Sequence, residues 1–410
     1  MTNKISYLMT NLPQGWEVKT IDNTCEILNN KRVPISQKNR ISGIYPYYGA
    51  SGIVDYIDKY IFDEELVLIG EDGAKWGAFK NSAFIVNGKY WVNNHAHILK
   101  PNNEILINKF LVYFLNYSNL EKYITGATVK KLNQQKLKQI EIPLPPLKEQ
   151  ERIVEILDFA FSKIDENIKK AKENLANIDE LMQSVLQKAF NPLNDNTKEN
   201  YQLPQFWEWK SLGEILYGDK YSIKRGPFGS ALKKSFFVEN GIRVFEQYNP
   251  INNDPHWKRY FISYDKFKEL EAFKAMEGDL LISCSGTLGK IVELPKNTEI
   301  GVINQALLKI KLDNEKILNS YFIYYFNSPT MQDKILESTL GSAIKNIASV
   351  KILKQIQIPL PPLQEQEQIA KHLDFVFEKA KTLKELYTKE LKDYEELKQS
   401  LLDKAFKGEL

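Results

Sequence analysis

The sequence predicts an α+β protein in which two globular domains are joined by a long antiparallel two-helix coiled coil, with a pseudo-twofold internal repeat. Two pairs of nearly identical segments carry this prediction. The segment Q-I-E-I-P-L-P-P-L-K-E-Q at residues 139–150 returns as Q-I-Q-I-P-L-P-P-L-Q-E-Q at 355–366. The segment L-P-Q-G-W-E-V-K at 12–19 returns as L-P-Q-F-W-E-W-K at 203–210. Two repeats in the same order indicate two copies of one module.

Each globular half is expected to combine short strands with helices. Apolar runs and turn residues in the first half predict strands at 65–70 and 91–99, a helix at 109–123, and a loop at 45–52. The second half repeats this order, with strands at 278–283 and 302–312 and a helix around 321–326. The same order in both halves predicts the α+β arrangement twice.

A long helix is expected after each proline-rich segment, because proline does not fit in a helix interior and favours an extended predecessor. Apolar residues then recur at steps of three and four over 157–189 and 369–401, among Lys and Glu. Both helices end in the same pattern, at 184–190 and 400–406, so their lengths are equal, about 65 Å at ~1.5 Å per residue. Such one-sided helices are expected to pair with each other.

The repeat divides the chain into four segments. They are a globular domain at 1–146, a long helix at 147–190, a linker with the second globular domain at 191–362, and a second long helix at 363–410. Phe190 leads into the motif that starts the second half, and by the same rule Phe406 should lead towards the motif near the N-terminus. The two ends of the sequence are therefore expected to lie close together.

The composition is that of an ordinary globular protein. The 410 residues are 43% hydrophobic and 26% charged, which allows two or three domains. A net charge of +3 is too small to indicate a polyanion partner, so a nucleic-acid surface has to come from local clustering. Cys25 and Cys284 are too few for a disulfide framework, and no apolar run approaches a signal core or a membrane span. A reducing cytoplasm is expected.

We predict no catalytic residue, no metal and no cofactor in this chain. The Gly-rich cofactor loop and the Asn/Asp-Pro-Pro-aromatic tetrad of a DNA methyltransferase are missing from the sequence. The segment S-C-S-G-T-L-G-K at 283–290 resembles a phosphate-binding loop only superficially, because Ile291 replaces the Ser or Thr that reaches magnesium. His95 and His97 share a strand face but lack a third metal ligand. A group of charged residues reads as exposed turn positions: Glu64, Glu71, Asp72 and Lys75.

Local clusters of basic and aromatic residues are the better candidates for function. Lys and Arg neutralise phosphates, and Arg, Asn and Gln read base edges. The candidate DNA-binding residues of the first half are Lys31, Arg32, Lys38, Arg40, Tyr47, Tyr48, Lys75, Trp76, Lys130 and Lys131. Those of the second half are Lys224, Arg225, Lys233, Lys234, Arg243, Lys258, Arg259 and Lys345.

The repeated motifs together resemble the DNA-specificity (S) subunit of type I restriction–modification enzymes. The resemblance rests on two copies of I-x-I-P-L-P-P-L-x-E-Q that open long helices, on L-P-x-x-W at the start of each domain, and on G-P-F-G-S at 226–230. It covers nearly the whole chain. It implies two target-recognition domains, each reading one half of a split, asymmetric sequence in double-stranded DNA.

The resemblance also implies partners and a division of labour. Two methyltransferase (M) subunits bring S-adenosylmethionine and methylate adenines, restriction (R) subunits use ATP and magnesium to translocate and cut DNA, and this chain catalyses nothing. The coiled coil is expected to set the spacer between half-sites and to dock the M subunits. Two other interpretations stay open: a self-contained methyltransferase or nuclease, and a coiled-coil scaffold whose globular domains bind protein.

Overall fold

The computed structural model describes residues 12–193, 201–337 and 347–410. The chain forms two compact units: unit 1 comprises Met1–Lys172 and Tyr387–Leu410, and unit 2 comprises Glu173–Leu386. Each unit therefore combines one globular part with one end of each long helix.

The described residues of unit 1 form ten short strands, three short α-helices and parts of both long helices. Its strands are β1 (Glu17–Thr20), β2 (Cys25–Ile27), β3 (Ser42–Gly49), β4 (Gly52–Ile57), β5 (Phe62–Asp63), β6 (Leu66–Gly70), β7 (Ala83–Val86), β8 (Lys89–Val92), β9 (Ala96–Pro101) and β10 (Glu141–Leu144). Its helices are α1 (Ile21–Thr24), α2 (Asn108–Tyr117), α3 (Gln134–Lys138) and the first part of α4 (Leu147–Phe190).

Unit 2 repeats this plan over the rest of the described chain. Its strands are β11 (Glu208–Ser211), β12 (Ile223–Arg225), β13 (Phe237–Val238), β14 (Ile242–Phe245), β15 (Tyr260–Ile262), β16 (Lys274–Ala275), β17 (Leu280–Ser283), β18 (Ile291–Glu293), β19 (Gly301–Ile303), β20 (Leu307–Ile310) and β21 (Gln357–Leu360). Its helices are α5 (Tyr248–Ile251), α6 (Tyr264–Glu269), α7 (Asn319–Phe326), α8 (Pro329–Glu337), α9 (Val350–Leu353) and the first part of α10 (Leu363–Lys407).

The sheets of the two units have the same topology. In unit 1 the strand orders are β2-β9-β6-β7 and β4-β3-β8-β5, and in unit 2 they are β12-β20-β17-β18 and β13-β15-β14-β19-β16. The parallel pair β3/β8 of unit 1 matches the parallel pair β14/β19 of unit 2. Unit 2 differs by one added edge strand, β13. The predicted α+β repeat is confirmed strand by strand.

The two repeated sequence motifs pair with each other inside each unit. Strand β1 pairs antiparallel with β10, which places Val18 opposite Pro143. Strand β11 pairs with β21 in the same register, which places Trp209 opposite Pro359. The extended backbone that proline favours therefore closes each globular part immediately before a long helix begins.

The glutamine that ends each proline-rich motif fixes the start of the long helix. Gln150 is fully buried, accepts a hydrogen bond from the Ile107 amide (3.0 Å) and donates to the Pro145 carbonyl (2.8 Å). Gln366 does the same with the Leu318 amide and the Pro361 carbonyl, both at 2.9 Å. Buried amides need such partners, so the glutamine at the end of each motif follows from packing.

The far end of each long helix is buried by an aromatic cluster. In unit 1 the ring of Phe406 lies 5.0–5.4 Å from those of Phe110, Phe114 and Tyr117. In unit 2 Phe190 lies at similar distances from two tyrosine rings of α7. The repeated A-F that ends both helices is thus an anchor into the adjacent sheet and helix core.

The long helices run antiparallel within each unit, as predicted. In unit 1 Arg152 donates to the carbonyl of Leu410 (2.7 Å), while Asp165 forms an ion pair with Lys398. In unit 2 Lys384 of α10 forms an ion pair with Asp179 of α4. Contact partners thus move backwards along one helix as they move forwards along the other.

The first and last parts of the described chain are in contact. Gly408, at φ +70°, packs on Pro13, and a β-carbon on Gly408 would lie 2.3 Å from the Pro13 Cγ. Residues 1–11 lie outside the described part of the chain. The expected proximity of the two ends is confirmed for residues 13 and 408.

Four predicted elements differ from the structure. The helix predicted at 109–123 ends at Tyr117, and a separate 3-10 turn follows at Glu121–Tyr123. Residues 45–52 form the end of β3 and the turn into β4, since tyrosine favours a sheet more than its Pro and Gly neighbours oppose it. Each of the runs 91–99 and 302–312 forms two strands. The side chain of Asn93 accepts from the His95 amide (2.7 Å), and that of Asn304 from the Ala306 amide (3.0 Å), so an Asx turn interrupts each run.

Candidate nucleic-acid interface

Strand ends converge at one edge of each globular part. In unit 1 the end of β6 (Gly70) pairs with the start of β9 (Ala96), and a β-carbon on Gly70 would lie 2.9 Å from the Ala50 carbonyl just after β3. In unit 2 Ser283, which ends β17, pairs with Leu307, which starts β20.

Side chains from these strand ends define a strand-end surface in each unit. In unit 1 it consists of Arg32, Asp72, Asn94, His95 and Lys131. In unit 2 it consists of Arg225, Phe228, Gln247, Ser285 and Gln305.

The unit 1 surface is built over a buried carboxylate, Glu71. This side chain is 7% exposed and forms ion pairs with Arg32 and with the Lys131 Nζ (2.8 Å). Burial alone would raise the pKa of Glu71, but the hydrogen bonds from Arg32 and Lys131 outweigh it and hold the pKa below its usual value. Glu71 is thus a charged anchor for two basic side chains, and its interpretation as an exposed turn charge is wrong.

The two histidines of unit 1 do not share a face. His97 is fully buried in β9, and its Nε2 donates to the Leu132 carbonyl (2.6 Å), so its Nδ1 accepts from the Asn29 amide (2.8 Å). Burial is the main reason that the pKa of His97 is lowered. His95 lies in the exposed turn before β9, with its Nδ1 2.6 Å from Asp72 Oδ1. His97 supports the fold, whereas His95 faces the surface.

The unit 2 surface has a different chemistry in the same place. The strand register puts Cys284 where unit 1 has Glu71, because both residues directly follow the matched strands β17 and β6. Burial raises the pKa of the Cys284 thiol to about 11. Arg225 donates to the Cys284 carbonyl (3.4 Å), and Ser285 Oγ lies 3.5 Å from Gln247 Oε1.

The structure distributes the predicted DNA-binding residues of unit 1 among three environments. The exposed ones are Lys31, Lys38, Lys75 and Lys130. Arg32 and Lys131 contact Glu71, Arg40 pairs with Asp55 (3.1 Å), and Tyr48 packs edge-on against Tyr90. For the exposed lysines and for these partly exposed residues, DNA contact stays a prediction.

Two predicted contact residues of unit 1 belong to the core. The Tyr47 hydroxyl accepts from the Ile35 amide (2.9 Å), and Trp76 Nε1 donates to the Gly70 carbonyl (3.0 Å). Both rings are buried and their polar atoms are used inside the protein. They position neighbouring loops and are not part of a contact surface.

In unit 2 the predicted residues are also divided. Lys233, Lys234 and Arg259 are exposed, Lys258 pairs with Glu299 (2.6 Å), and Lys224 lies over the rings of Tyr221 and Phe273. Lys345 lies outside the described residues.

Arg243 is the exception in unit 2, because it is buried. Its guanidinium donates to the carbonyls of Pro255 (3.0 Å) and Trp257 (2.9 Å), and burial lowers its pKa. Arg243 therefore fixes the loop after α5 instead of facing a ligand.

Sequence reasoning missed the uncharged polar residues of both strand-end surfaces. Asn94, Gln247, Ser285 and Gln305 carry no charge, and only Ser285 stands in a motif, the loop at 283–290 that resembles a phosphate-binding loop superficially. The signal that could have found them is positional, since each follows a predicted or repeated strand by one to three residues.

Two further properties bear on the class of protein. Across the described ranges, no helix combines the length and the apolar character that a membrane crossing needs. The same part of the chain holds no group of three or more His, Cys, Asp or Glu side chains arranged to bind a metal ion.

A duplicated two-sheet module with polar strand ends, closed by paired long helices, defines a class of protein with two recognition modules. A family profile described as "Type I restriction modification DNA specificity domain" matches residues 13–177 and 207–392. The chain belongs to this family.

Individual relatives and solved structures agree with that assignment. A putative type I restriction enzyme specificity subunit of Haemophilus influenzae is 30% identical over 399 residues, 91% of each chain. The MjaVIII specificity subunit of Methanocaldococcus jannaschii is 25% identical, over 97% of this chain and 94% of the relative. The fold matches the HsdS subunit of Thermoanaerobacter tengcongensis with a TM-score of 0.57 at 21% identity, over 97% and 98% of the chains. It also matches a chain from a structural study of type I R-M complex assembly and conformational transition, with a TM-score of 0.73 at 20% identity, over 97% and 99% of the chains.

Proposed function

We propose that this chain reads a split, asymmetric sequence in double-stranded DNA, with each unit recognising one half-site through its strand-end surface. One observation carries the proposal: the strand order is the same in both units, whereas the side chains at the strand ends differ. A shared framework with different surface chemistry suits two readers of two different sequences. The chain acts as a specificity subunit, and the catalytic steps belong to other subunits.

Dividing recognition between two units increases specificity. A good bidentate contact to a base edge discriminates by ~1–3 kcal/mol, and one strand-end surface covers only a few base pairs. When the first unit has bound, the second binds at a high effective concentration, so the two specificities multiply. The exposed Lys31, Lys38, Lys233 and Lys234 supply phosphate contacts that set the position of each unit on the duplex.

The partners follow from the parts that the two halves share. The proline-rich strands and the two ends of each long helix have closely similar sequences in both halves, so they offer equivalent docking sites to two M subunits that carry S-adenosylmethionine. R subunits that use ATP and magnesium complete the restriction complex. The setting is the cytoplasm, where Cys25 and Cys284 remain thiols; both are buried, and burial raises the pKa of Cys25 to about 12.

The long helices set the spacer between the half-sites. Inserting one heptad into α4 after Lys172 and one into α10 after Leu386 lengthens the helix pair by ~10 Å, or about three base pairs. We expect the distance between the two methylated adenines to grow by that amount. An unchanged spacer in a folded, active variant would exclude this role.

The main experiment is to coexpress the chain with its M subunits in a host without adenine methylation and to map methylated adenines across the genome. We expect a two-part motif with a fixed spacer. The purified chain alone should transfer no methyl group from labelled S-adenosylmethionine, which separates a specificity subunit from an autonomous methyltransferase. Its DNA affinity should fall steeply with salt, by ~0.9 log units per phosphate contact for each log unit of salt, whereas a protein-binding scaffold should not bind DNA.

A further inference from the structure

We propose that Phe228, Gln247 and Gln305 are the base-reading residues of unit 2 and that they recognise an A·T pair in the major groove. This inference rests on the proposed function, because it assigns the residues that perform recognition in one of the two units. Three features support it: the rigidity of the loop that carries Phe228, the side chains around that loop, and the different residues at the matched positions of unit 1.

The loop that carries Phe228 is held by its backbone. The Gly226 amide donates to the Leu307 carbonyl (2.9 Å), and a β-carbon on Gly226 would lie 1.8 Å from the Asn304 carbonyl oxygen. No other residue fits at position 226 without moving the turn after β19. Pro227 is buried and fixes the backbone next to it, so the ring of Phe228 leaves the surface from a rigid base.

The Phe228 ring itself is 69% exposed. An apolar ring gains stability when a partner covers it, so the exposed Phe228 ring is available for apolar contact with a ligand. The guanidinium of Arg225 lies 5.9 Å from the ring centroid and sits between Phe228 and the loop after β17. Arg225 thereby positions the ring relative to the polar side chains on the neighbouring strand ends.

Two glutamines belong to the same strand-end surface as this ring. Gln247 follows β14, and its Oε1 lies 3.5 Å from the Ser285 hydroxyl. Ser285 is next in sequence to Cys284, whose carbonyl accepts a hydrogen bond from Arg225. Gln305 is exposed and follows Asn304, on which Gly226 packs. The three side chains therefore belong to one continuous surface made by the ends of β12, β14, β17 and β19.

The chemistry of this surface matches an A·T pair. A glutamine amide can both accept from adenine N6 and donate to adenine N7, and an aromatic ring makes apolar contact with the thymine methyl group. Both of these groups lie in the major groove.

Unit 1 places different side chains at the matched positions. By strand register its residues are Ala50, Asp72 and Asn94 where unit 2 has Gln247, Ser285 and Gln305. The two units are thus not expected to require the same base at this point of their half-sites.

The test is methylation mapping with the full chain and its M subunits. Gln247→Ala and Phe228→Ala should each relax the requirement for one A·T pair, other than that of the methylated adenine, in one half-site. The rate at the wild-type site relative to a site changed at that pair should fall by roughly tenfold or more. The sequence requirement of the other half-site should not change.

A matched control is available in the same unit. Tyr264 on α6 is 63% exposed, so Tyr264→Ala removes an equally exposed ring that belongs to no strand end. We expect this variant to keep the wild-type motif and rate. Circular dichroism and thermal melting of all three variants establish that each is folded.

The outcomes separate this inference from the function on which it depends. If the wild-type chain directs methylation to a two-part motif and both variants keep every position of it, the assignment of Phe228 and Gln247 is overturned while the function stands. If the wild-type chain gives no two-part motif, the proposed function itself fails. If Phe228→Ala abolishes methylation, gel shifts on specific and random DNA decide: loss confined to specific DNA supports the inference, and equal loss on both overturns it.

Discussion

A buried ion pair in unit 2 can be exchanged for the apolar pair that unit 1 has in the same place. The side chains of Asp279 and Lys309 are 1% and 9% exposed and lie 4.0 Å apart. The strand registers match them to Leu66 and Ile98, which are both buried in unit 1. The two units therefore offer a natural double-mutant experiment.

The energies favour opposite results for single and double substitution. At 4.0 Å the attraction between unit charges is about 4 kcal/mol at an effective dielectric constant of ~20, but desolvation opposes it. Burial raises the pKa of Asp279 and lowers that of Lys309, because desolvation disfavours the charged form of each side chain. Asp279→Leu alone leaves a buried ammonium without its counter-ion, and we expect a loss of about 3–5 kcal/mol in the free energy of unfolding.

The double variant Asp279→Leu/Lys309→Ile should recover most of that loss. It removes both desolvated charges, although the Met276 amide and the Lys274 carbonyl lose their partners, at 2.9 Å and 2.7 Å. We expect its stability to lie within ~2 kcal/mol of the wild type. Hydrogen exchange of the β17 and β20 amides is the suitable assay, because unfolding of a two-unit chain is not a single transition.

If the losses from Asp279→Leu and Lys309→Ile simply add in the double variant, the two charges are not coupled and the structural match with Leu66 and Ile98 has no energetic meaning. The exposed pair Lys258–Glu299 is the control, because solvent screens it and removing either partner should leave the stability close to that of the wild type.

Three further predictions concern the rest of the fold. The lowered pKa of His97 means that unit 1 loses stability as the pH falls below ~6.5. The variant His97→Leu copies Leu308 of unit 2 and should reduce the change in melting temperature between pH 7.5 and 5.5. A change in melting temperature equal to that of the wild type would contradict this prediction. Phe406→Ala should lower the free energy of unfolding by about 3–5 kcal/mol and increase hydrogen exchange at the end of α10 and in α2. Phe190→Ala should have the same effect at the end of α4 and in α7. Protection from exchange equal to that of the wild type would show that these rings do not anchor the helices. Lys398→Ala removes an exposed ion pair between the long helices and should change the local free energy of unfolding by under ~1 kcal/mol. A larger effect on hydrogen exchange of the helix amides would contradict a minor role.

The fold could be predicted because each repeated motif is a short contiguous segment that occurs twice in the sequence. The proline-rich motif and the L-P-x-x-W motif each occur twice at corresponding positions, and helix period follows directly from the spacing of Leu and Ile. What these patterns could not show is that the two motifs pair with each other, since strand pairing across more than 100 residues depends on the folded core. Each of the runs 91–99 and 302–312 is divided into two strands by a turn at a single asparagine, Asn93 or Asn304. These turns do not change the hydrophobic periodicity, so the sequence pattern did not reveal them.

The candidate site was harder to predict for a physical reason. Charge identifies residues that can meet phosphate, but it does not tell an exposed guanidinium from a buried one: Arg243 and Arg259 look alike in sequence, and only Arg259 is exposed. Glu71 shows the converse, because a carboxylate that looks like a surface turn residue anchors Arg32 and Lys131. Uncharged candidates such as Gln247 become visible only when strand register places them at the same edge as the ends of β17 and β19.

The division of the helices between the units has a consequence for synthesis on the ribosome. Unit 2 is continuous in sequence, so its residues can complete their contacts soon after they emerge. Unit 1 is discontinuous: the Tyr117 hydroxyl hydrogen-bonds Asp403, 286 residues later, and the aromatic cluster beside it stays open until Phe406 is made. The half of the protein that is translated first is therefore the half that finishes folding last. Until Phe406 is made, the rings of Phe110, Phe114 and Tyr117 stay uncovered and form an apolar surface that chaperones can bind.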